Sequence, residues 1–442
     1  MGWKNRPTQE LTKRGIDEKR NGGEEEWKKI RVVVRTETGK YKMSKQINSG
    51  VFVAGLGVIS AIGNDIGETL AAFRSGRPGM GPVSHLDTVH RQIPVAEVKL
   101  SNEELALRAD DSRGVSRTAL LSMIAARAAL EDAAIKNQSS LRTGFVSANT
   151  VGGMDKSERF LQDFFVDSGR GRLREVVRHE CGSITEWVAD RLAIRDHITT
   201  ISTACSSSAN ALFYGARLIR HGLLDLVVAG GTDALTKFTL NGFNTLMILD
   251  PQFCRPFDED RAGLNLGEGA GYVVLVSERV AESVEVYCRL SGFCNANDAY
   301  HQTASSPEGT GSFLAMKGAL ERGGLQPSAI DYINLHGTGT QNNDIAEATA
   351  IKRVFDPRYP PMSSTKSFTG HTLGASGGIE AVFSVLSIRH GIVYPNLRFS
   401  KPMNGFSFVP ETRFLENQEI RHVLSNSFGF GGNCSSLIFS KL

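Results

Sequence analysis

The stretch Ile198-Thr-Thr-Ile-Ser-Thr-Ala-Cys205-Ser-Ser-Ser-Ala-Asn-Ala-Leu212 constrains this chain more than any other. Its β-branched residues predict a short strand and its small residues a sharp turn, and Ala209, Leu212, Ala216 and Ile219 then recur at the spacing of one helix face. Cys205 therefore falls on a strand-to-helix elbow. A thiol there meets the unpaired N–H groups of the first helical turn, whose partial positive charge favours thiolate over thiol and makes a better nucleophile. A lone cysteine is more often a small packed hydrophobe, so its company elsewhere in the chain decides between the two readings.

Three further stretches are built to aim side chains and backbone dipoles. Tyr332-Ile-Asn-Leu335 reads as an apolar strand ending in His336-Gly-Thr338-Gly-Thr340, where glycines let the chain turn sharply beside an imidazole. Ser363-Ser-Thr-Lys366-Ser-Phe-Thr-Gly370-His371 places a cation and a second imidazole five residues apart, ahead of a helix rich in small residues that carries Glu380. Asn426-Ser-Phe428-Gly-Phe430-Gly-Gly432-Asn433 is a glycine-rich loop between two closing strands. Each is weak evidence alone.

Taken together and in this order, these residues closely resemble the elongating β-ketoacyl-acyl-carrier-protein synthases of the thiolase superfamily. The resemblance runs from about Val51 to Leu442, and Val227-Val-Ala-Gly-Gly231, Arg255-Pro-Phe-Asp258-Glu-Asp-Arg261, Gly267-Glu-Gly-Ala-Gly271 and Asn297-Asp298-Ala-Tyr-His301 agree with it. The Cys, His, His set separates the chain from initiating and chalcone-synthase-like enzymes, which use Cys, His, Asn. It also argues against a non-catalytic chain-length subunit, which lacks the cysteine. A degradative thiolase would need a second catalytic cysteine, and Cys434 lacks the Cys-x-Gly setting that such enzymes show.

The rest of the chain is compatible with this family. With 442 residues, 40% of them hydrophobic, and 46 glycines, it is long enough for two core-bearing lobes. Cys181, Cys205, Cys254, Cys288, Cys294 and Cys434 include no C-x-x-C pair, which suits a reducing, cytoplasmic setting and argues against structural zinc or disulfides. No apolar run approaches the length of a membrane span. Residues 1–45 hold 13 Lys or Arg against 7 Asp or Glu, a net of +6 that leaves −3 for the remainder. They are expected to form a charged, flexible extension rather than a nucleic-acid arm, with Ile30-Arg-Val-Val-Val-Arg35 the one stretch in it that reads as a strand.

Strands are expected near 51–60, 143–147, 226–230 and 272–276, helices near 67–75 and 117–134, and a polar, irregular capping insertion over 152–180. The glycines of Val51-Phe-Val-Ala-Gly55-Leu-Gly57 superficially match a dinucleotide fingerprint, but Ser60 stands where the third glycine belongs, so no nucleotide site is assigned. A second lobe repeats the order, with strands at 284–290 and 330–335, helices at 311–321, 345–355 and 378–390, and closing strands at 423–427 and 436–440. Such a βαβα pattern predicts an α/β fold with parallel sheets flanked by helices. The resemblance supplies the specific expectation: a thiolase-like five-layered αβαβα sandwich of two pseudo-duplicated halves, 46–290 with the nucleophile elbow and 291–442 with both histidines.

The resemblance also assigns roles. Cys205 would hold the growing acyl chain as a thioester while His336 and His371 donate to the enolate left when malonyl loses carbon dioxide. Phe430 would gate the site and, with Cys205, supply backbone N–H groups to an oxyanion. Lys366 would set the electrostatics, with Glu380 and Asp344 behind it, and Thr338 and Thr340 would bind the phosphopantetheine arm of an acyl carrier protein loaded with acyl or malonyl groups. No cofactor or metal of the enzyme's own is required, and the family implies a homodimer with no nucleic-acid or membrane partner. Thr150 and Val151 would line the acyl pocket. Thr150 stands where many fatty-acid enzymes have glycine, and Asn433-Cys434 replaces the usual Thr-Asn. Fatty-acid elongation is thus the leading expectation, with a polyketide or aryl-polyene pathway as the alternative.

Overall fold

The computed structural model describes residues 33–35, 41–43, 50–111, 114–136 and 140–442. The chain divides into two compact units, Met1–Ile47 and Asn48–Leu442. In the first, β1 (Val33–Arg35) pairs antiparallel with β2 (Tyr41–Met43), and the remainder of the expected extension lies outside the described residues.

The second unit contains strands β3 (Val51–Ser60), β4 (Thr143–Ala148), β5 (His197–Ile201), β6 (Leu226–Asp233), β7 (Gly269–Ser277), β8 (Cys288–Asn297), β9 (Tyr332–Asn334), β10 (Met362–Ser363), β11 (His422–Gly429) and β12 (Asn433–Ser440). They form one ladder in the order β10-β9-β11-β12-β8-β3-β7-β6-β4-β5, whose two halves meet where Phe52 and Val53 face Arg289 and Cys288. The helices are α1 (Ile66–Arg74), α2 (Asn102–Arg108), α3 (Arg117–Ala133), α4 (Met154–Val166), α5 (Cys181–Arg191), α6 (Ser207–Arg220), α7 (Lys237–Thr245), α8 (Glu278–Ala281), α9 (Thr310–Gly323), α10 (Gln341–Phe355), α11 (Lys366–Thr369) and α12 (Ser376–His390).

Packing against the two faces of this ladder produces five layers. α3 lies on β3, β6 and β7, with α5 beside it on β4 and β5. On the opposite face α6 and α12 touch each other, and α12 contacts both β7 and β11. α9 covers β8 and β12, with α10 against it. The central pair is therefore sandwiched between strands of both halves, and every residue of α12 from Ser376 to Ile388 is buried. Its first turn must be small, because a Cβ on Gly378 would fall 2.4 Å from the Gly271 carbonyl and one on Gly377 2.8 Å from the Ala209 nitrogen.

The sheet is mixed where the βα rhythm predicts parallel pairing. β4 runs parallel to β5 and β6, and β9 to β10 and β11, but β7 is antiparallel to β3 and β6, and β12 to β8 and β11. The last pair is joined directly by the short turn Phe430–Gly432, which forces an antiparallel return. β8 begins later and runs further than expected from 284–290, because Ser291 to Asn297 are, Phe293 apart, small or polar residues that pair with β12. The 152–180 segment, expected to be irregular, holds α4, whose Phe160, Leu161, Phe164 and Phe165 recur at the i, i+4 spacing of a helix face. α2 was readable in principle: Ser101 and Glu104 form a reciprocal capping box.

Gly55 and Gly57 owe their place to packing. Cβ atoms there would lie 2.2 Å from the Ala129 carbonyl and 2.0 Å from the Ala125 carbonyl, so both glycines let α3 cross β3 at close range. Among the described residues no helix is long and apolar enough to cross a membrane. Gly57→Ala must push helix from strand and is expected to cost about 1–3 kcal/mol of stability. Urea unfolding measures it, and an unchanged midpoint would contradict this account of the glycine.

Candidate active site

The elbow is held by its own hydroxyls. Ala204 adopts a left-handed conformation at φ +52°, which a non-glycine residue enters only under tertiary constraint. The Ser207 hydroxyl accepts from the Thr203 N–H at 2.8 Å, Ser206 donates to the Thr203 carbonyl at 2.9 Å, and Ser208 accepts from the Gly378 N–H of α12 at 2.8 Å. The three serines after Cys205 thus brace the turn and dock it on the second half.

Cys205 sits just ahead of α6 and is buried. Burial pushes its thiol up to about 11, against the opposing pull of the Lys366 charge and the N–H groups of Phe430 and of Cys205 itself. The expected bias toward thiolate at the elbow is therefore outweighed by desolvation, and the resting protein carries a thiol.

Both imidazoles lie beside it. One sulfur or nitrogen atom from each of Cys205, His336 and His371 falls within 4.8 Å of the others, and the two rings stand 5.5 Å apart, nearly perpendicular. Burial and the Lys366 charge hold both histidines well below their usual range, with His371 adding to the effect at His336, so both are neutral at neutral pH. In His371, Nδ1 accepts from the Leu373 N–H at 3.1 Å and lies 3.1 Å from the Ser376 hydroxyl. An amide can only donate, so the neutral ring carries its proton on Nε2. His336 Nδ1 has no partner of this kind.

Buried carboxylates support this trio from behind. Lys366 pairs with Glu380 in a site where the two side chains are 1% and 3% exposed. Burial pushes the Glu380 carboxyl up to about 7, and the lysine opposes it. Asp344 accepts from the Thr338, Gly339 and Phe257 N–H groups at 3.1, 3.2 and 2.8 Å, fixing the turn after β9. Two carboxylates escaped the sequence reading. Glu347 accepts from the His336 and Gly337 N–H groups at 2.9 and 2.8 Å, and Asp233 accepts from Thr150, Val151 and Gly374. Glu347, one helical turn beyond Asp344 on α10, carried a positional signal. Asp233 ends an apolar strand and carried none.

A cavity of about 250 Å³ connects most of the expected residues. Cys205, His336, His371, Thr338, Thr340 and Phe430 all line it, and the Thr338 and Thr340 hydroxyls lie 2.9 Å apart along its wall. The Phe430 ring stacks on Phe243, 5.9 Å away at 16°. Lys366, Glu380 and Asp344 sit outside the lining, and so do Thr150 and Val151, the latter in an apolar cluster with Leu373 that reaches the cavity through Phe243, Ile248 and Leu264. Sulfur with two imidazoles is also a donor set that zinc accepts, although the neighbouring Lys366 cation opposes a second positive charge there.

Residues 48–281 match the family model described as beta-ketoacyl synthase, N-terminal domain, and residues 287–400 that of the C-terminal domain. The chain belongs to the beta-ketoacyl synthase family, and its activity class is that of a ketosynthase acyltransferase. It is 33% identical over 411 residues to 3-oxoacyl-(acyl-carrier-protein) synthase 2 of Staphylococcus aureus strain N315, covering 89% of this chain and 99% of that one. The Coxiella burnetii protein of the same name is 34% identical over 412 residues, covering 89% and 98%. Among solved structures, the ishigamide ketosynthase/chain length factor superposes with a TM-score of 0.83 at 29% identity, over 89% of this chain and 100% of that one. The ketosynthase ApeO, in complex with its chain length factor ApeC from Xenorhabdus doucetiae, does so at 0.79 and 31%, over 90% and 100%.

A thiol raised to about 11 exposes little thiolate at neutral pH, and each added pH unit below that point raises the fraction roughly tenfold. Alkylation of Cys205 by iodoacetamide, followed by peptide mapping, should keep accelerating from pH about 7 to about 10. A plateau below pH about 8 would contradict the assignment of a desolvated resting thiol.

Proposed function

We propose that this protein extends acyl chains by decarboxylative condensation, with the chain carried on Cys205 and the malonyl unit delivered by an acyl carrier protein. The carrying observation is the convergence of one thiol and two neutral imidazoles at the end of a cavity lined by paired threonine hydroxyls. In the first half-reaction the Cys205 sulfur attacks the carrier's thioester. Its proton passes to His336, whose neutral ring Lys366 helps keep unprotonated, and the carrier thiol leaves with that proton. The N–H groups of Cys205 and Phe430, already directed at the sulfur, are suited to the tetrahedral oxyanion.

In the second half-reaction the malonyl C–C bond to its carboxylate breaks and carbon dioxide departs. The electron pair spreads onto the thioester oxygen as an enolate, which His371 Nε2–H and His336 stabilise as donors. The enolate carbon then attacks the Cys205 thioester. A new C–C bond forms, the S–C bond breaks, and the departing Cys205 thiolate takes a proton from water, which regenerates the thiol. The Thr338 and Thr340 hydroxyls would hydrogen-bond the phosphopantetheine arm along the cavity, and the chain needs no cofactor of its own for these steps.

Fatty-acid elongation is the pathway favoured by relatives named 3-oxoacyl-(acyl-carrier-protein) synthase 2. A polyketide-type pathway is the second reading, favoured by similarity to ketosynthases solved with chain length factors and by Thr150 and Asn433-Cys434. A partner subunit, a second copy of this chain or a related one, belongs to either reading.

Cys205→Ala should abolish condensation yet leave malonyl decarboxylation running, whereas His371→Ala should slow decarboxylation by roughly 10²-fold or more. Product analysis with malonyl-carrier protein tests both. Full condensation by the cysteine variant, or unaltered decarboxylation by the histidine variant, would overturn these roles.

A further inference from the structure

Thr150 and Asp233 lie outside the cavity lining, yet both tie into the loop that holds His371. Asp233, at the end of β6, is wholly buried. Its Oδ1 accepts from the N–H groups of Thr150 at 2.8 Å and Val151 at 3.1 Å. Its Oδ2 accepts from the Thr150 hydroxyl at 2.6 Å and from the Gly374 N–H at 2.7 Å. One carboxylate thus bridges the turn after β4 and the turn after His371.

The second of these turns is strained. Leu373 is a non-glycine residue at φ +51°, a conformation that persists only where its surroundings over-determine it. It is pinned on both sides: its own N–H donates to His371 Nδ1, and the next N–H, that of Gly374, donates to Asp233. Position 374 admits only glycine, since a Cβ would fall 2.7 Å from Asp233 Oδ2 and 2.9 Å from Thr150 Cγ2. The Leu373 side chain packs in the same apolar cluster as Val151. Backbone, carboxylate and core therefore connect the 149–151 turn to the atom that sets the tautomer of His371.

We propose that Asp233 and Thr150 form a positioning clip which holds the Leu373–Gly374 turn against His371 Nδ1 and so keeps the His371 proton on Nε2, facing the reacting groups. Neither residue lines the cavity; both act through His371. The inference deepens the proposed condensation, resting on the reading of His371 as the enolate's donor. The hydroxyl at position 150 completes the clip, because glycine there would leave Oδ2 with the Gly374 N–H alone. Through Val151, the clip also links the apolar cluster beside the 149–151 turn to the decarboxylation donor.

The test compares Thr150→Val, which removes the hydroxyl at nearly constant volume, with Thr150→Ser, which keeps it, and with Asp233→Asn, in the full chain. The substrate-free readout is the ¹⁵N spectrum of histidine-labelled protein, with the His371 signal assigned by its loss in His371→Ala. The wild type and Thr150→Ser should show a single Nε2–H tautomer, while Thr150→Val and Asp233→Asn should show a mixture or the reverse. In parallel, malonyl decarboxylation should fall roughly 10-fold in Thr150→Val, while acylation of Cys205 by a short acyl-carrier-protein thioester stays near wild type and Thr150→Ser restores the rate. An unchanged tautomer in both disruptive variants would overturn the clip. Equal losses of acylation and decarboxylation, accompanied by a lowered melting temperature, would also overturn it by showing a merely structural role. A wild-type protein that neither acylates nor decarboxylates would overturn the proposed function instead, and the tautomer readout would still decide the clip.

Discussion

A lysine ammonium buried against a single carboxylate governs the chemistry of this protein. Removing Lys366 and Glu380 from water costs several kcal/mol per ion before their attraction is counted, and well-packed apolar residues would stabilise such a position at least as well. The pair is better understood by its effect on its neighbours. Burial holds both imidazoles neutral and the Lys366 charge adds to that effect, while the same charge opposes the desolvation that raises the Cys205 thiol. A neutral imidazole can accept a proton during acylation, and its N–H can donate a hydrogen bond to the enolate during decarboxylation. One electrostatic source thus prepares both half-reactions.

That source sits where it does because the two halves of the ladder enclose a common helical layer. α6 begins at the nucleophile and α12 follows the second histidine, and they meet in the middle of the sandwich. Their approach depends on small residues: Gly377 and Gly378 on α12, and Ser208, whose hydroxyl receives the Gly378 N–H. The closing hairpin brings Gly429 so near the elbow that a Cβ there would lie 3.0 Å from the Cys205 nitrogen. Close packing of backbone, with few side chains between, delivers Phe430 to the thiol.

Much of this was legible in the chain itself. The elbow, the two histidine turns and the glycine-rich loop have strong local signatures, since sharp turns demand glycine or small residues and the strands leading into them are β-branched or apolar. Cys205, His336 and His371 stand on such signatures, Phe430 was singled out by the family resemblance, and all four share one cavity. What escaped depends on burial and pairing. The direction of the Cys205 shift required knowing that the thiol is desolvated, which the helix N-terminus alone does not reveal. Asp233 acts by accepting backbone N–H groups from residues distant in sequence, which no composition or period encodes, and Glu347, which does the same for His336 and Gly337, had only its helical spacing from Asp344 as a signal. β8 was misplaced for a similar reason, because Ser291 to Asn297, Phe293 apart, are small or polar and take their strand character from pairing with β12.

The central claim is that the buried thiol of Cys205, and no other cysteine, carries the growing chain. Intact-protein mass spectrometry after incubation with a panel of acyl-carrier-protein thioesters, followed by peptide mapping, tests it most directly. The account predicts one acyl adduct per chain, located on the peptide containing Cys205, absent from Cys205→Ala and discharged when malonyl-carrier protein is added. An adduct on Cys181 or Cys434, or a Cys205 adduct that malonyl-carrier protein fails to discharge, would contradict it.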